Sequence, residues 1–305
     1  MRDPTVLDEI VTALIDKGPT NGLIPYPVDF SSFSDTIRSA ARRSAEAIAQ
    51  LLPPLTYNSP ILDLRTYEPN NVAHLIIDVI PLCIRAQQLF GKDIVYLFRY
   101  MHPHFRQLLE TFGVTPTFSS KKVQGPVICM FYSRGRQLYE VETVANAHPA
   151  NMIPDIYRDQ KIPNTITKKK IFIARRGPRA IRNHSVVEAL LKEHGYETIF
   201  MEDLSMEDQI SVGANAEHIV APHGAGTAFL VFNKNIKSFI EILPPHVYHE
   251  FMPVVLGSQV RKYITVLSDF DYSVPVHGYA ALVNFKERSF DIDLELLSHA
   301  LELTQ

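Results

Sequence analysis

The sequence predicts an α/β protein built on parallel, doubly wound sheets in two domains. Short apolar runs alternate with helix-length amphipathic segments at βαβ spacing. This pattern is cleaner in the second half of the chain than in the first. Between them, residues 149–167 carry Pro149, Pro154 and Pro163 and show no steady period. The expected boundary falls in that stretch and divides the chain into residues 1–155 and 156–305.

Taken in order, residues 4–17 suit an amphipathic helix, with Val6, Ile10, Leu14 and Ile15 at helical spacing and Gly18 behind it. Residues 21–34 are proline-rich and irregular. Ser34-Asp35 suits the cap of a second helix through Ile37, Ala41, Ala45, Ile48 and Leu52, which Pro53-Pro54 stop. A strand is expected over 61–64, then a helix from Asn71 to Gly91 with Pro81 inside it. Strand 93–98, helix 103–112 with Gly113 at its end, and strand 127–131 complete the first half.

In the second half, strand 171–174 leads into Arg175-Arg176-Gly177. A helix follows from Asn183 or Ser185 to Gly195. Strand 198–201 precedes a helix that Ser205 and Asp208 begin in near capping-box spacing. Ile219-Val220-Ala221 reads as a buried strand ended by Pro222. A small-residue turn, His223-Gly224-Ala225-Gly226, and a helix from Thr227 to Phe232 come next. Strand 239–242, helix-like sequence over 248–257, strand 263–267 and a terminal helix over 292–303, with Asp291 as its cap, close the chain.

Composition narrows the function classes. The 305 residues are 46% hydrophobic with net charge −3, which does not indicate a strongly electrostatic nucleic-acid or membrane binder. The two cysteines, Cys83 and Cys129, sit in apolar runs and read as buried free thiols of a reducing compartment. The first residues carry acids and lack the apolar block of a signal peptide. No window reaches the roughly 20 apolar residues expected of a spanning helix. A cytoplasmic location is the expectation.

Three features can carry chemistry. A strand that runs into a glycine turn and a helix start presents backbone N–H groups suited to a phosphate; the alternative is a tight loop whose glycines serve only the turn. Nine Lys or Arg against one acid occupy residues 158–182. Lys168-Lys169-Lys170 reads as a solvated run. Arg175 and Arg176 fall at a strand end beside the glycine turn, where a guanidinium can grip a phosphate with two hydrogen bonds. The alternative for these arginines is a pairing with Glu202 or Asp203. Glu241, ending the next strand, suits ribose hydroxyls, or else an ion pair with Lys237. In the first half, His74 and Asp78 lie one turn apart on a helix face among Leu75, Ile76, Ile77, Val79 and Ile80. Burying such a pair is costly unless it is hydrogen-bonded or used. Either residue can serve as general base, the carboxylate can orient the imidazole, or the pair is a satisfied contact between helices.

Other candidates are weaker. Asp269-Phe270-Asp271 and Asp291-Ile292-Asp293 match an acid-x-acid pattern only superficially. His102-Pro103-His104 and His246 with His249 lack a cysteine or acid at metal-ligand spacing. No metal site is expected.

The blocks Asn71-Val72-Ala73-His74-Leu75-Ile76-Ile77-Asp78-Val79-Ile80-Pro81, Ile173-Ala174-Arg175-Arg176, and Ile219-Val220-Ala221-Pro222-His223-Gly224-Ala225-Gly226 with Ile240-Glu241-Ile242 resemble glycosyltransferase family 61. Bacterial members often carry Trp after the histidine, where this chain has Leu75. The resemblance implies a GT-B architecture: two Rossmann-like domains face a cleft, and a C-terminal helix returns toward the N-terminal domain. It implies inverting transfer from a nucleotide-sugar donor, a UDP-sugar above all, to a glycan or polysaccharide acceptor, with no cofactor and no essential metal. His74 or Asp78 would be the base, with Asn71 on the acceptor side. Arg175, Arg176, His223, Gly224, Ala225, Gly226 and Thr227 would hold the diphosphate, and Glu241 the ribose. Two other readings stand beside it. A nucleotide-dependent oxidoreductase or epimerase is weakened because no G-x-G-x-x-G follows an expected strand. The second is a non-catalytic nucleotide-binding member.

Overall fold

The computed structural model describes residues 48–49, 51–65, 71–128, 156–157, 160–177, 179–244, 251–256, 259–268 and 289–304. The helix expected over 4–17 and most of the one ending at Leu52 lie outside the described residues. So do Cys129, His246, His249 and Asp269 to Asp271. The chain is mixed α/β with parallel sheets and divides into two units. One takes residues 1–70 and 82–130, the other 71–81 and 131–305. Chain order alone assigns Asn71 to Pro81 to the first half; its contacts assign it to the second.

The first unit holds strands β1 (Leu55–Thr56), β2 (Ile61–Asp63), β3 (Val95–Phe98), β4 (Pro116–Phe118), β5 (Val123–Gln124) and β6 (Val127–Ile128). A four-stranded parallel sheet runs β4-β3-β2-β6, and β1 pairs with β5. Helix Pro103–Thr111 lies between β3 and β4 in sequence. His102, one of the two weak metal candidates there, caps this helix by accepting the His104 N–H.

The second unit holds β7 (Lys170–Ala174), β8 (Glu197–Phe200), β9 (His218–Pro222), β10 (Ile236–Leu243) and β11 (Val260–Leu267). Their order in the sheet is β8-β7-β9-β10-β11, every pairing parallel. Numbered along the chain this is 2-1-3-4-5, a doubly wound order that reverses direction between β7 and β9. Glu217 staples the entry end of that region. Its carboxylate pairs with Lys169 at 2.9 Å and Lys237 at 2.5 Å. Lys168 pairs with Glu197, so two of the three exposed lysines in the run meet acids.

One face of the sheet, including Phe172, Ala174, Val220, Ile240, Ile242 and Val266, packs with Val187 and Leu191 of helix His184–Glu193. Leu297, Ala300 and Leu301 of helix Leu294–Leu303 complete this core. The terminal helix therefore packs on the second unit's own sheet, where its apolar stripe is buried. Its cap is Asp293, which accepts the Glu295 and Leu296 N–H groups; Asp291 instead pairs with Arg182 at 2.6 Å.

Toward the opposite face lies the 3₁₀ helix Ala225–Phe232, buried from Thr227 onward. Helix Met206–Asn215 packs against it so closely that a Cβ on Gly213 would meet the Phe229 carbonyl oxygen at 2.3 Å. The segment Val72–His74 and helix Phe251–Leu256 also pack on it. Tyr157 meets the Phe232 ring edge-on at 4.7 Å between centroids.

The expected helix after Asn71 runs from Val72 to Phe90 and accommodates Pro81 through a π turn over Leu75–Val79. Ile80 N–H donates five residues back, to the Leu75 carbonyl. In that register residue 81 would serve the Ile76 carbonyl next, and proline has no N–H to give. The buried Tyr157 hydroxyl donates to the Ile76 oxygen instead. This helix corrects the expectation that no segment reaches the length and apolarity of a membrane span. It has 19 residues and passes on both counts, with 61% of the window buried inside the protein.

Two outcomes follow from this packing. Gly213→Ala should destabilise the chain by about 1–3 kcal/mol through overpacking against Phe229, read as a lowered urea midpoint. An unchanged midpoint would show that the two helices separate freely. Hydrogen bonds from Lys237 and Lys169 hold the Glu217 carboxyl down at about 2, against an ordinary 4.5. A depressed carboxyl stabilises the fold above its unfolded value and loses that contribution as pH falls toward 2. Glu217→Gln should therefore flatten the fall in urea midpoint between pH 4.5 and 2.

Candidate active site

Ligands of doubly wound sheets bind beyond the carboxyl ends of the strands, where the strand order reverses. In the second unit that point lies between β7 and β9, and the two loops there are Arg175-Arg176-Gly177 and His223-Gly224-Ala225-Gly226. Pro222 ends β9 as expected, pairing with Ile242 as the strand's last residue. The His223 N–H then donates to the Ile242 carbonyl at 2.8 Å. The turn passes into the 3₁₀ helix at Ala225, two residues earlier than expected. His223 to Gly226 are partly exposed between buried neighbours. The first N–H groups of any helix lack acceptors inside it, which favours an anion at this turn.

The Arg175 guanidinium lies against this turn. A Cβ on Gly224 would meet Arg175 Nη1 at 2.5 Å, so no side chain fits at Gly224 while Arg175 holds its position. At Gly226 an added Cβ would meet Met201 and Ile173 only at ordinary contact distance. Thr227, expected on the diphosphate, is buried, and its hydroxyl donates to the Gly224 carbonyl at 2.7 Å. It shapes the turn.

Glu241 is 1% exposed, pointing into the protein. Its Oε1 lies 2.7 Å from His223 Nδ1, and its Oε2 accepts the Tyr263 hydroxyl from β11. Burial first, then the Glu241 charge, push the Tyr263 hydroxyl far above its ordinary value of 10.0, so it stays protonated and donates. Both carboxylate oxygens are engaged beneath the turn, and Lys237 pairs with Glu217 instead. Tyr263 was not among the residues the sequence pointed to. It is one tyrosine in an edge strand, and nothing in its neighbours says that β10 brings an acid beside it.

Arg176 takes up its alternative partner. Its guanidinium makes two hydrogen bonds to Asp203, at 2.7 and 2.8 Å, and lies 3.8 Å over the Phe200 ring. Those hydrogen bonds hold the Asp203 carboxyl below its ordinary value. The pair is exposed at the carboxyl end of β8, one strand over from the reversal.

The segment carrying His74 and Asp78 packs on the 225–232 helix, so both belong to the same unit as the glycine turn. His74 Nδ1 lies 2.8 Å from Asp78 Oδ2. The histidine side chain is 24% exposed and the aspartate 3%. An ionised carboxylate only accepts, so in this pair the proton sits on Nδ1 and the aspartate fixes the ring. Asn71, expected on the acceptor side, caps this helix by accepting the Ala73 N–H at 3.0 Å. Among the described residues, no group of three or more His, Cys, Asp or Glu is arranged to hold a metal ion.

The structure thus brings together His74, Asp78, Arg175, His223 and the glycine turn. It turns Glu241 and Thr227 inward, and directs Arg176 to Asp203. No curated protein compared with the chain matches it. The family model described as Glycosyltransferase 61 matches residues 72–240, just over half the chain. Both histidines, both arginines and the whole turn fall within that span, and by this match the chain belongs to glycosyltransferase family 61 and is a glycosyltransferase.

Proposed function

We propose that the protein transfers a sugar, with inversion and without a metal, from a UDP-sugar to a hydroxyl of a glycan or polysaccharide. The two parallel-sheet units are the halves of a GT-B enzyme in this reading. What carries it is the meeting, in a family 61 chain, of Arg175 and the His223–Gly226 turn at the sheet's reversal point. A diphosphate there would be held by the guanidinium and by the amides at the start of the 225–232 helix.

Inversion takes one displacement at the anomeric carbon. The acceptor oxygen attacks as its proton leaves, and the bond to the donor phosphate breaks on the other face. His74 takes the proton at Nε2, since Asp78 is too deeply buried to reach a hydroxyl and instead holds the ring and balances its charge. The leaving diphosphate gathers negative charge, which Arg175 and the turn stabilise in place.

Turnover is measured as release of the nucleoside diphosphate, with and without EDTA. His74→Ala and Asp78→Asn should each lower kcat by roughly 10²–10⁴-fold while leaving the nucleotide bound. Full activity in both would remove His74 as base, and activity lost wholly to EDTA would overturn the metal-free route. Gly224→Ala should weaken uridine diphosphate binding about tenfold or more by displacing the guanidinium, read by calorimetry. Equal affinity in wild type and variant would take the diphosphate away from this turn.

A further inference from the structure

At the carboxyl end of β8 is a layered stack of side chains that the diphosphate does not use. Phe200 is the last residue of β8 and pairs with Ala174 of β7, so Arg175 and Arg176 leave the sheet beside it. The Arg176 guanidinium lies 3.8 Å over the Phe200 ring. That ring packs against the core and lies 5.9 Å from His184, which in turn stacks on Phe172. Two hydrogen bonds to Asp203 fix the guanidinium by its edge. Face and edge are both held, yet the side chain is still 54% exposed. The stack also neighbours the glycine turn. After Phe200 the chain makes a 3₁₀ turn, Met201–Asp203, and Met201 is what an added Cβ on Gly226 would meet first, at 3.4 Å. Two strand spacings, about 10 Å, separate β8 from β9, and that is on the scale of the reach from a nucleobase across its ribose to the diphosphate.

Charge decides what can settle on this stack. One guanidinium faces two carboxylates, Asp203 in direct contact and Glu202 at 3.9 Å. The hydrogen bonds from Arg176 hold the Asp203 carboxyl below its ordinary value, so both members of the pair are ionised at neutral pH and their charges cancel. A phosphate would meet a neutralised cation with a second carboxylate beside it. An uncharged, flat base meets a guanidinium plane, on which bases stack as they do on aromatic rings.

We propose that Arg176, held by its face on Phe200 and by its edge on Asp203, is the platform on which the nucleobase of the donor stacks, while Arg175 and the glycine turn take the diphosphate. The proposal rests on the nucleotide-sugar reading, and it divides two adjacent arginines between the two ends of one ligand. Asp203 is a positioning residue in this arrangement. It fixes the plane of the guanidinium and withdraws its charge from the phosphates.

The test is calorimetric and compares two probes on the full chain, uridine diphosphate and inorganic pyrophosphate. They share the linked phosphates and differ in the nucleoside. Arg176→Lys keeps the charge and removes the plane. It should weaken uridine diphosphate about tenfold and pyrophosphate by no more than about twofold. Asp203→Asn should also weaken uridine diphosphate, while pyrophosphate binds as tightly as before or more tightly, because the guanidinium is released from its partner. Gly224→Ala, which displaces Arg175, should weaken both probes alike. Equal losses for the two probes in Arg176→Lys would overturn the platform and return Arg176 to the phosphates. Wild-type affinity for both in that variant would overturn any contact between Arg176 and the donor. If the wild type binds neither probe, the nucleotide-sugar reading itself fails and the platform with it, whereas binding of both with equal losses removes the platform alone.

Discussion

A helix that is apolar on every side must be covered on every side, and the 225–232 helix is such an element. From Thr227 to Phe232 every residue is buried. Its cover comes from far apart in the chain: helix Met206–Asn215 through Gly213, the segment after Asn71, Tyr157, and helix Phe251–Leu256. Because the helix begins at the glycine turn, the segment after Asn71 that covers it joins the turn's unit. That is how His74, more than 140 residues upstream of His223, becomes part of the same unit. The close contact at Gly213 and the hydrogen bond from Tyr157 to Ile76 are what this packing requires of individual residues.

The same physical rule then appears twice in the chemistry. A buried carboxylate is costly unless it is hydrogen-bonded, and each of two acids meets the Nδ1 side of a histidine through one oxygen. Asp78 holds His74 and Glu241 holds His223, with the acid inside and the imidazole nearer the surface in both. An acid that orients a ring is removed from direct contact with a ligand. Glu241 is such an acid, turned inward two residues before the end of β10. The exposed pair of Arg176 and Asp203 obeys a different economy, since solvent screens it and its geometry depends on stacking over Phe200.

Much was legible in the sequence because it depends on near neighbours. The strand and helix periods, the Ser205 cap, the glycine stops and the order of β and α elements are set within a few residues. They were enough to place the Arg175 and His223 loops at strand ends and to mark His74 and Asp78 as a pair. Where the reading missed locally, the reason was also local. Asp291 and Asp293 are both plausible caps, and only the backbone turn at Asp293 chooses between them. Pro222, by contrast, ends β9 as read, since a proline at a strand's last position still offers its carbonyl and needs no donor.

What the tertiary structure alone decided is which side chains meet across strands and helices. The 2-1-3-4-5 order puts β7 beside β9 and so brings Arg175 to Gly224, two residues that the chain separates by nearly 50 positions. The register of β10 with β11 gives Glu241 the hydroxyl of Tyr263, and the fold of the 225–232 helix gives the segment after Asn71 its true unit. The sequence by itself determined the chemical types and the strand ends where they stand, because those follow from local propensity. It could not determine their partners, because strand order, register and burial are set by the packing of the whole sheet.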